Sequence, residues 1–228
     1  MRYEEFVKIQ LEKIRKTGIV SADKMPDIGL YMDQTEAFFA KEFKNLDGEV
    51  VKRNYSKPLI NNYTKRNMVA RPDGKKYTKN HLLMITMVIY LKGLFKLENI
   101  EKIMKPLVDN HNSAFEDDID PEIVYNAACA VNAQTADIFS EDVNRAVDTI
   151  KKHFEDTDIA DDESMEILAL VLALSMKADM EKYLASRLLD EYFVKPSAEK
   201  GVKINKLMKS KLDDKSQKPK QKERQKDK

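Results

Sequence analysis

One cysteine, Cys129, stands in 228 residues, and tryptophan is absent. A lone thiol closes no internal disulfide and builds no cysteine-rich zinc centre. That excludes a disulfide-stapled secreted domain and suits a reducing compartment. Glycine and proline are scarce, at 6 and 7 residues, a composition that leans helical. Long apolar runs are missing as well. The two longest, 82–91 and 167–174, fall short of the roughly 18–20 residues that a bilayer crossing needs. The opening stretch MRYEEFVKIQLEKIRKTG interleaves charge with apolar residues and lacks the continuous apolar centre of a signal peptide. A cytoplasmic chain that does not enter a membrane is expected. No glycine-rich phosphate loop, nucleophile elbow or paired-carboxylate motif occurs, so an enzyme is not expected, and neither catalytic residues nor a cofactor are nominated.

What the chain has in abundance is charge, sorted along its length. The formal total is only +1, from 40 Lys+Arg against 39 Asp+Glu. Residues 41–106 hold 15 basic and 6 acidic side chains, a net +9, whereas residues 107–166 hold 3 basic and 17 acidic, a net −14. Residues 195–228 return to +8, with 13 basic and 5 acidic. A basic middle, an acidic second half and a basic end call for separate explanations.

The apolar spacing predicts mostly helices. Tyr3, Phe6, Val7, Leu11 and Ile14 recur at steps of three and four, so residues 3–16 form an amphipathic helix. A second is expected over 30–43, burying Phe38, Phe39 and Phe43. Ser56 and Pro58 open a short third helix, with Asn67 as its left-handed terminator. Pro72-Asp73-Gly74 marks a turn between short extended pieces, a small hairpin. Thr78 caps a helix near 79–92 that is apolar on nearly every face and therefore buried. An amphipathic helix with Ile100, Ile103, Met104 and Leu107 follows. Asp120 and Pro121 start the second half, expected as three helices near 121–138, 141–154 and 164–193 with Ser140 and Ser164 as caps. The domain plan is therefore an N-terminal helix in 1–25, a helix-turn-helix domain in 26–107, an acidic linker in 108–120, a helical module in 121–194 and a disordered basic tail in 195–228.

The order of elements between residues 30 and 107 is that of a winged helix-turn-helix. Ile60-Asn-Asn-Tyr-Thr-Lys-Arg-Asn-Met-Val69, then Lys75-Lys-Tyr-Thr78 and Leu97-Glu-Asn-Ile100, resemble the DNA-binding domain of MerR-type transcription regulators. Pro26-Asp-Ile-Gly-Leu-Tyr-Met-Asp-Gln34 together with Ile60-Asn-Asn-Tyr-Thr-Lys65 resembles more closely an uncharacterised bacterial family, domain of unknown function 1836, over roughly residues 25–190. The resemblance implies a mainly α fold: a winged helix-turn-helix with a small β-hairpin wing, followed by an all-α helical module. It implies a transcriptional regulator that binds double-stranded DNA and dimerises or senses an effector through its second half. MerR-type proteins usually dimerise through one long helix behind the wing, and the acidic 108–120 segment interrupts such a helix here.

The charges support the same reading. Residues 51–81 carry nine basic side chains and one acid, Asp73, a pattern suited to neutralising phosphates. The candidate DNA-binding residues are Lys57, Asn61, Asn62, Lys65, Arg66, Arg71, Lys75, Lys76 and Tyr77. Asn61 and Asn62 can offer adenine the bidentate contact of an amide, while Arg71, Lys75 and Lys76 sit on the wing. Tyr63 and Tyr77 also read as packing at the core edge with hydroxyls at the rim. The alternative is a helical adaptor that binds protein and no DNA, its basic surface solvated or paired with its own acidic half. A homodimer is expected and an effector is not specified. Three other signals are set aside. Residues 156–167 fail the calcium-loop pattern at Ala160, Asp161 and Ile167. His81, His111 and His153 have no metal-ligand spacing. Cys129 reads as a small apolar residue.

Overall fold

The structure, a computed structural model, describes residues 2–16, 19–47, 55–112, 120–155, 157 and 163–195. Seven α-helices account for most of them: α1 (Tyr3–Lys16), α2 (Met32–Asp47), α3 (Lys57–Lys65), α4 (Lys79–Leu91), α5 (Leu97–Asn112), α6 (Pro121–Phe154) and α7 (Glu163–Leu189). A 3₁₀ turn, Ala22–Lys24, lies between α1 and α2. The chain divides into two units, 1–185 and 186–228. In the second, the end of α7 passes into a π-helical turn, Asp190–Val194, closed by the Lys195 N–H on the Asp190 carbonyl at 2.9 Å.

The core of the first unit gathers around α4. Leu82, Leu83, Met84, Ile85, Val88 and Ile89 are all buried, as a helix apolar on every side requires. Phe39 and Phe43 of α2 come in from one side, with Phe43 stacked on Tyr55 at 5.8 Å and edge-on to Tyr90 at 6.3 Å. Ile60 and Tyr63 of α3 and Ile100, Met104, Leu107 and Val108 of α5 complete the shell. The start of α6 belongs to this same core. Tyr125 is buried in it and donates its hydroxyl to the Val20 carbonyl, with Cys129 packed alongside.

A second, smaller cluster joins α1, α6 and α7. Tyr3 and Val7 meet Ala146, Val147 and Ile150 of α6 and Leu170 and Leu174 of α7. Ion pairs between Glu4 and Lys151 and between Arg15 and Asp137 (3.1 Å) hold α1 along α6. The Tyr3 N–H also donates to Glu163 Oε1 at 2.7 Å.

Two expectations are corrected here. The two helices expected near 121–138 and 141–154 are one continuous helix, α6, while the one expected near 164–193 corresponds to α7 and the π-helical turn after it. Ser140 does not cap a helix; it lies inside α6, buried, with its hydroxyl returned to the Ala136 carbonyl at 2.7 Å. A serine that satisfies its hydroxyl on the preceding turn need not interrupt a helix. The β-hairpin wing is also absent: the described residues form no strand, only two isolated bridges, Asp73↔Lys76 and Leu30↔Tyr77. The mainly α class stands without the hairpin. Residues 48–54, the acidic stretch 113–119 and residues 196–228 lie outside the described residues, so the expected disorder of the basic end does too; 108–112 belong to the end of α5.

Candidate nucleic-acid interface

Helix α3 begins where the sequence places it, with Ser56 at the N-cap position and Pro58 in the first turn. Its exit is a Schellman motif. Asn67 takes a left-handed φ of 53°. The Asn67 N–H then reaches the Thr64 carbonyl at 3.2 Å, and the Met68 N–H the Tyr63 carbonyl at 2.9 Å. Those bonds satisfy the last carbonyls of the helix, and buried Met68 covers buried Tyr63.

The turn that follows closes on Asp73 and Lys76, which exchange both backbone hydrogen bonds at 2.9 Å. Gly74 and Lys75 between them both have positive φ, 52° and 71°, the two-residue turn whose twist suits a hairpin. A ladder would continue with a direct bond between Thr78 and Arg71. The His81 imidazole stands in that position instead. Its Nδ1 accepts the Thr78 N–H at 3.1 Å and its Nε2 meets the Arg71 carbonyl at 2.9 Å. A backbone N–H can only donate and a carbonyl can only accept, so the ring is neutral with its proton on Nε2. Tyr77 meanwhile turns its backbone to Leu30, with both bonds at 2.7–2.9 Å. The inserted ring and the pairing with Leu30 end the hairpin after one pair.

His81 is wholly buried, and burial holds its pKa below the ordinary value of 6.5 against the opposing pull of the Arg71 carbonyl. The His111 ring of α5 stands edge-on at 4.7 Å. Asp73, His81 and His111 each bring one potential ligand atom within 4.8 Å of the others. The chemistry does not fit a resident metal, because the single lone pair of neutral His81 already accepts the Thr78 N–H. Sequence spacing gave no sign of this cluster, since thirty residues separate the two histidines.

The nine nominated residues divide into groups. Lys57, Asn61, Lys65, Arg71, Lys75 and Lys76 are exposed, and Asn62 is half-buried. Lys57 reaches Asp33 at 3.3 Å in an exposed pair. The Lys76 ammonium lies 5.4 Å over the Tyr31 ring. Arg66 is tied to α5 through Glu101 and, at 3.9 Å, Glu98. Lys79, a further cation of the basic stretch, pairs with Glu122 of α6 at 2.9 Å and Asp27 at 3.8 Å. Part of the acidic half therefore does neutralise the basic middle. Tyr77 is 3% exposed, beneath the surface and unable to reach a ligand, because its ring packs into the core beside Thr64 and His81. Tyr63 is fully buried, so its hydroxyl is not at the rim. Lys52 and Arg53 lie outside the described residues.

Tyr77, at the end of the tight turn, shares one buried cluster with Ile60 and Tyr63 of α3, which couples α3 to the turn. The arrangement leaves a surface with exposed cations at Lys57 and Lys65 on the helix and Arg71, Lys75 and Lys76 on the turn, with Asn61 on the same helix. Among the described residues no helix is long and apolar enough to cross a membrane. No curated protein and no solved structure matches the chain. The stretch that holds this surface and the core beneath it, residues 20–128, matches the family model described as Domain of unknown function (DUF1836).

Proposed function

We propose that the chain is a DNA-binding regulator whose reading element is α3, a helix-turn-helix of the MerR kind in which a tight two-residue turn occupies the place of a wing. The observation that carries the reading is the exposure of Lys57, Lys65, Arg71, Lys75 and Lys76 on α3 and the turn coupled to it. Phosphate contacts set affinity and register, and base contacts set sequence preference. Asn61, exposed near the middle of α3, is the amide available to an adenine edge. Arg66 and Lys79 serve the fold, because their carboxylate partners on α5 and α6 already neutralise them.

Five cations on phosphates give a slope of log K against log[salt] of about −4 to −5 per protomer. The test is binding of duplex fragments at two salt concentrations, by wild type and by a Lys75→Ala/Lys76→Ala variant. The reading expects a steep salt dependence, made shallower by about two in the double variant. Binding that is insensitive to salt, or unchanged in the variant, overturns it in favour of a protein-binding adaptor.

A further inference from the structure

Helices α1, α6 and α7 do not close fully on one another. They leave an apolar cavity of about 540 Å³, lined by twelve described residues, none of them charged. Leu11, Val143 and Leu170 are its buried lining, and Phe6, Ile14 and Val171, exposed by 51, 43 and 53%, mark where it opens to solvent. The two polar lining residues are Gln10 and Tyr3. Tyr3 is 9% exposed, and its hydroxyl is buried with no hydrogen-bond partner. Burial, and after it the nearby Glu166 and Glu163 carboxylates, push the Tyr3 pKa up. At neutral pH the hydroxyl therefore keeps its proton, an unused donor in an apolar wall.

Water is a poor occupant of such a space, because an ordered water needs about two to four polar partners and apolar cavities take up apolar solutes instead. The volume falls within the roughly 300–1,000 Å³ of small-molecule pockets. At about 30 Å³ each, the share of a water in the liquid, it has room for on the order of 15 non-hydrogen atoms. All twelve lining residues fall outside residues 20–128, so the matched family region does not contain this cavity.

We propose that the cavity binds an uncharged, mostly apolar small molecule of about 15 non-hydrogen atoms, which presents one acceptor oxygen, as a ketone, ester or ether, to the Tyr3 hydroxyl. A hollow between three helices is filled by a compact molecule, whereas the convex face of another protein would cover its mouth and leave the interior empty. The lack of a lining cation and the two carboxylates near Tyr3 oppose an anion such as a fatty-acid carboxylate. A single donor in an otherwise apolar wall is the kind of group that orients a ligand in such pockets. This binding is independent of any DNA contact.

The full chain is titrated with N-phenyl-1-naphthylamine, an uncharged fluorophore that brightens on leaving water. One site per chain with a Kd of roughly 10 µM is expected. Val143→Phe in the buried lining and Val171→Trp at the mouth should each weaken uptake by at least about tenfold with the helical circular dichroism kept. Met180→Ser/Leu184→Ser, which removes exposed apolar surface of α7 outside the cavity, should leave it unchanged. Displacement by 1-naphthyl phenyl ketone and by 1-benzylnaphthalene, the same skeleton without the oxygen, then reads Tyr3. The advantage of the ketone should shrink by about 3–10-fold in Tyr3→Phe. No saturable uptake, uptake that survives the filling variants or is lost with the two serines, or a ketone preference indifferent to Tyr3→Phe overturns the proposal. Val171 is exposed, so the Val171→Trp arm holds even if Val143→Phe fails to fold.

Discussion

Replacing His81 tests how the turn and α4 are held. His81→Leu keeps nearly the same volume in a site that is wholly buried, so little cavity is created. What is lost is the ring's bridge between the Thr78 N–H and the Arg71 carbonyl, together with the contact of Nδ1 with the Thr78 hydroxyl at 2.7 Å. Arg71 is exposed and its carbonyl can turn to water, whereas Thr78 is half-buried at the N-cap of α4. An unpaired buried donor costs about 1–3 kcal/mol, and a lost cap bond about 1 kcal/mol. Both figures describe the one Thr78 N–H bond, so the expected loss is about 1–3 kcal/mol, a fall in Tm of roughly 3–10 °C for a chain of this length.

The same residue predicts a pH dependence. Burial depresses the folded-state pKa of His81 below 6.5, so the unfolded chain takes up the proton first. Its contribution is complete above about pH 6.5 and declines as pH falls from there through the depressed folded value. The slope is at most about 1.4 kcal/mol per pH unit. Protonation would put a second N–H against the Thr78 N–H and a positive charge beside His111, with exposed Asp73 the nearest opposing charge. Urea unfolding of wild type and His81→Leu at pH 7.5, 6.5 and 5.5 isolates the term, since His111 and His153 are common to both. Equal stability of the two at pH 7.5, or an acid loss of the same size in both, would refute the reasoning.

Two further substitutions follow from single observations. The Tyr63 hydroxyl is buried with no hydrogen-bond partner, and burial raises its pKa, so Tyr63→Phe should stabilise the fold by about 1 kcal/mol in urea unfolding. Lys75 holds a left-handed φ of 71°, so Lys75→Gly should gain about 1 kcal/mol in thermal unfolding while weakening any salt-dependent DNA binding. Stabilisation together with weaker binding would separate the two roles of that position.

Much of the helical plan was legible because it rests on local chemistry. The Asp120 carboxylate accepts the Glu122 N–H at 2.8 Å, with Pro121 in the first turn. Asn67 ends α3 in the left-handed region, and α4 is buried as its unbroken apolar composition requires. The expected break at Ser140 failed locally, on a hydroxyl returned to the Ala136 carbonyl, whereas the hairpin failed where distant residues compete for a backbone group. Pro72-Asp73-Gly74 was legible as a turn, but its central pair is Gly74-Lys75, and its ladder ends on an imidazole and on Leu30, 47 residues away. In the candidate interface, the basic composition was readable and its division was not. Lys65 and Arg66 are neighbours in sequence, yet the first is exposed and the second is bound by Glu101. Tyr77, nominated as a contact and also read as packing at the core edge, is core.

The sequence by itself determined the helical class, the start and stop of α3, the burial of α4 and the sorting of charge, because capping, φ preference and apolar spacing act within a few residues. The tertiary structure alone decided which cations remain exposed, that His81 and His111 meet, that the start of α6 joins the first core, and that α1, α6 and α7 leave an apolar cavity between them. Each of those depends on groups brought together from 30 or more residues apart, and no local spacing encodes which of several available partners a side chain will meet.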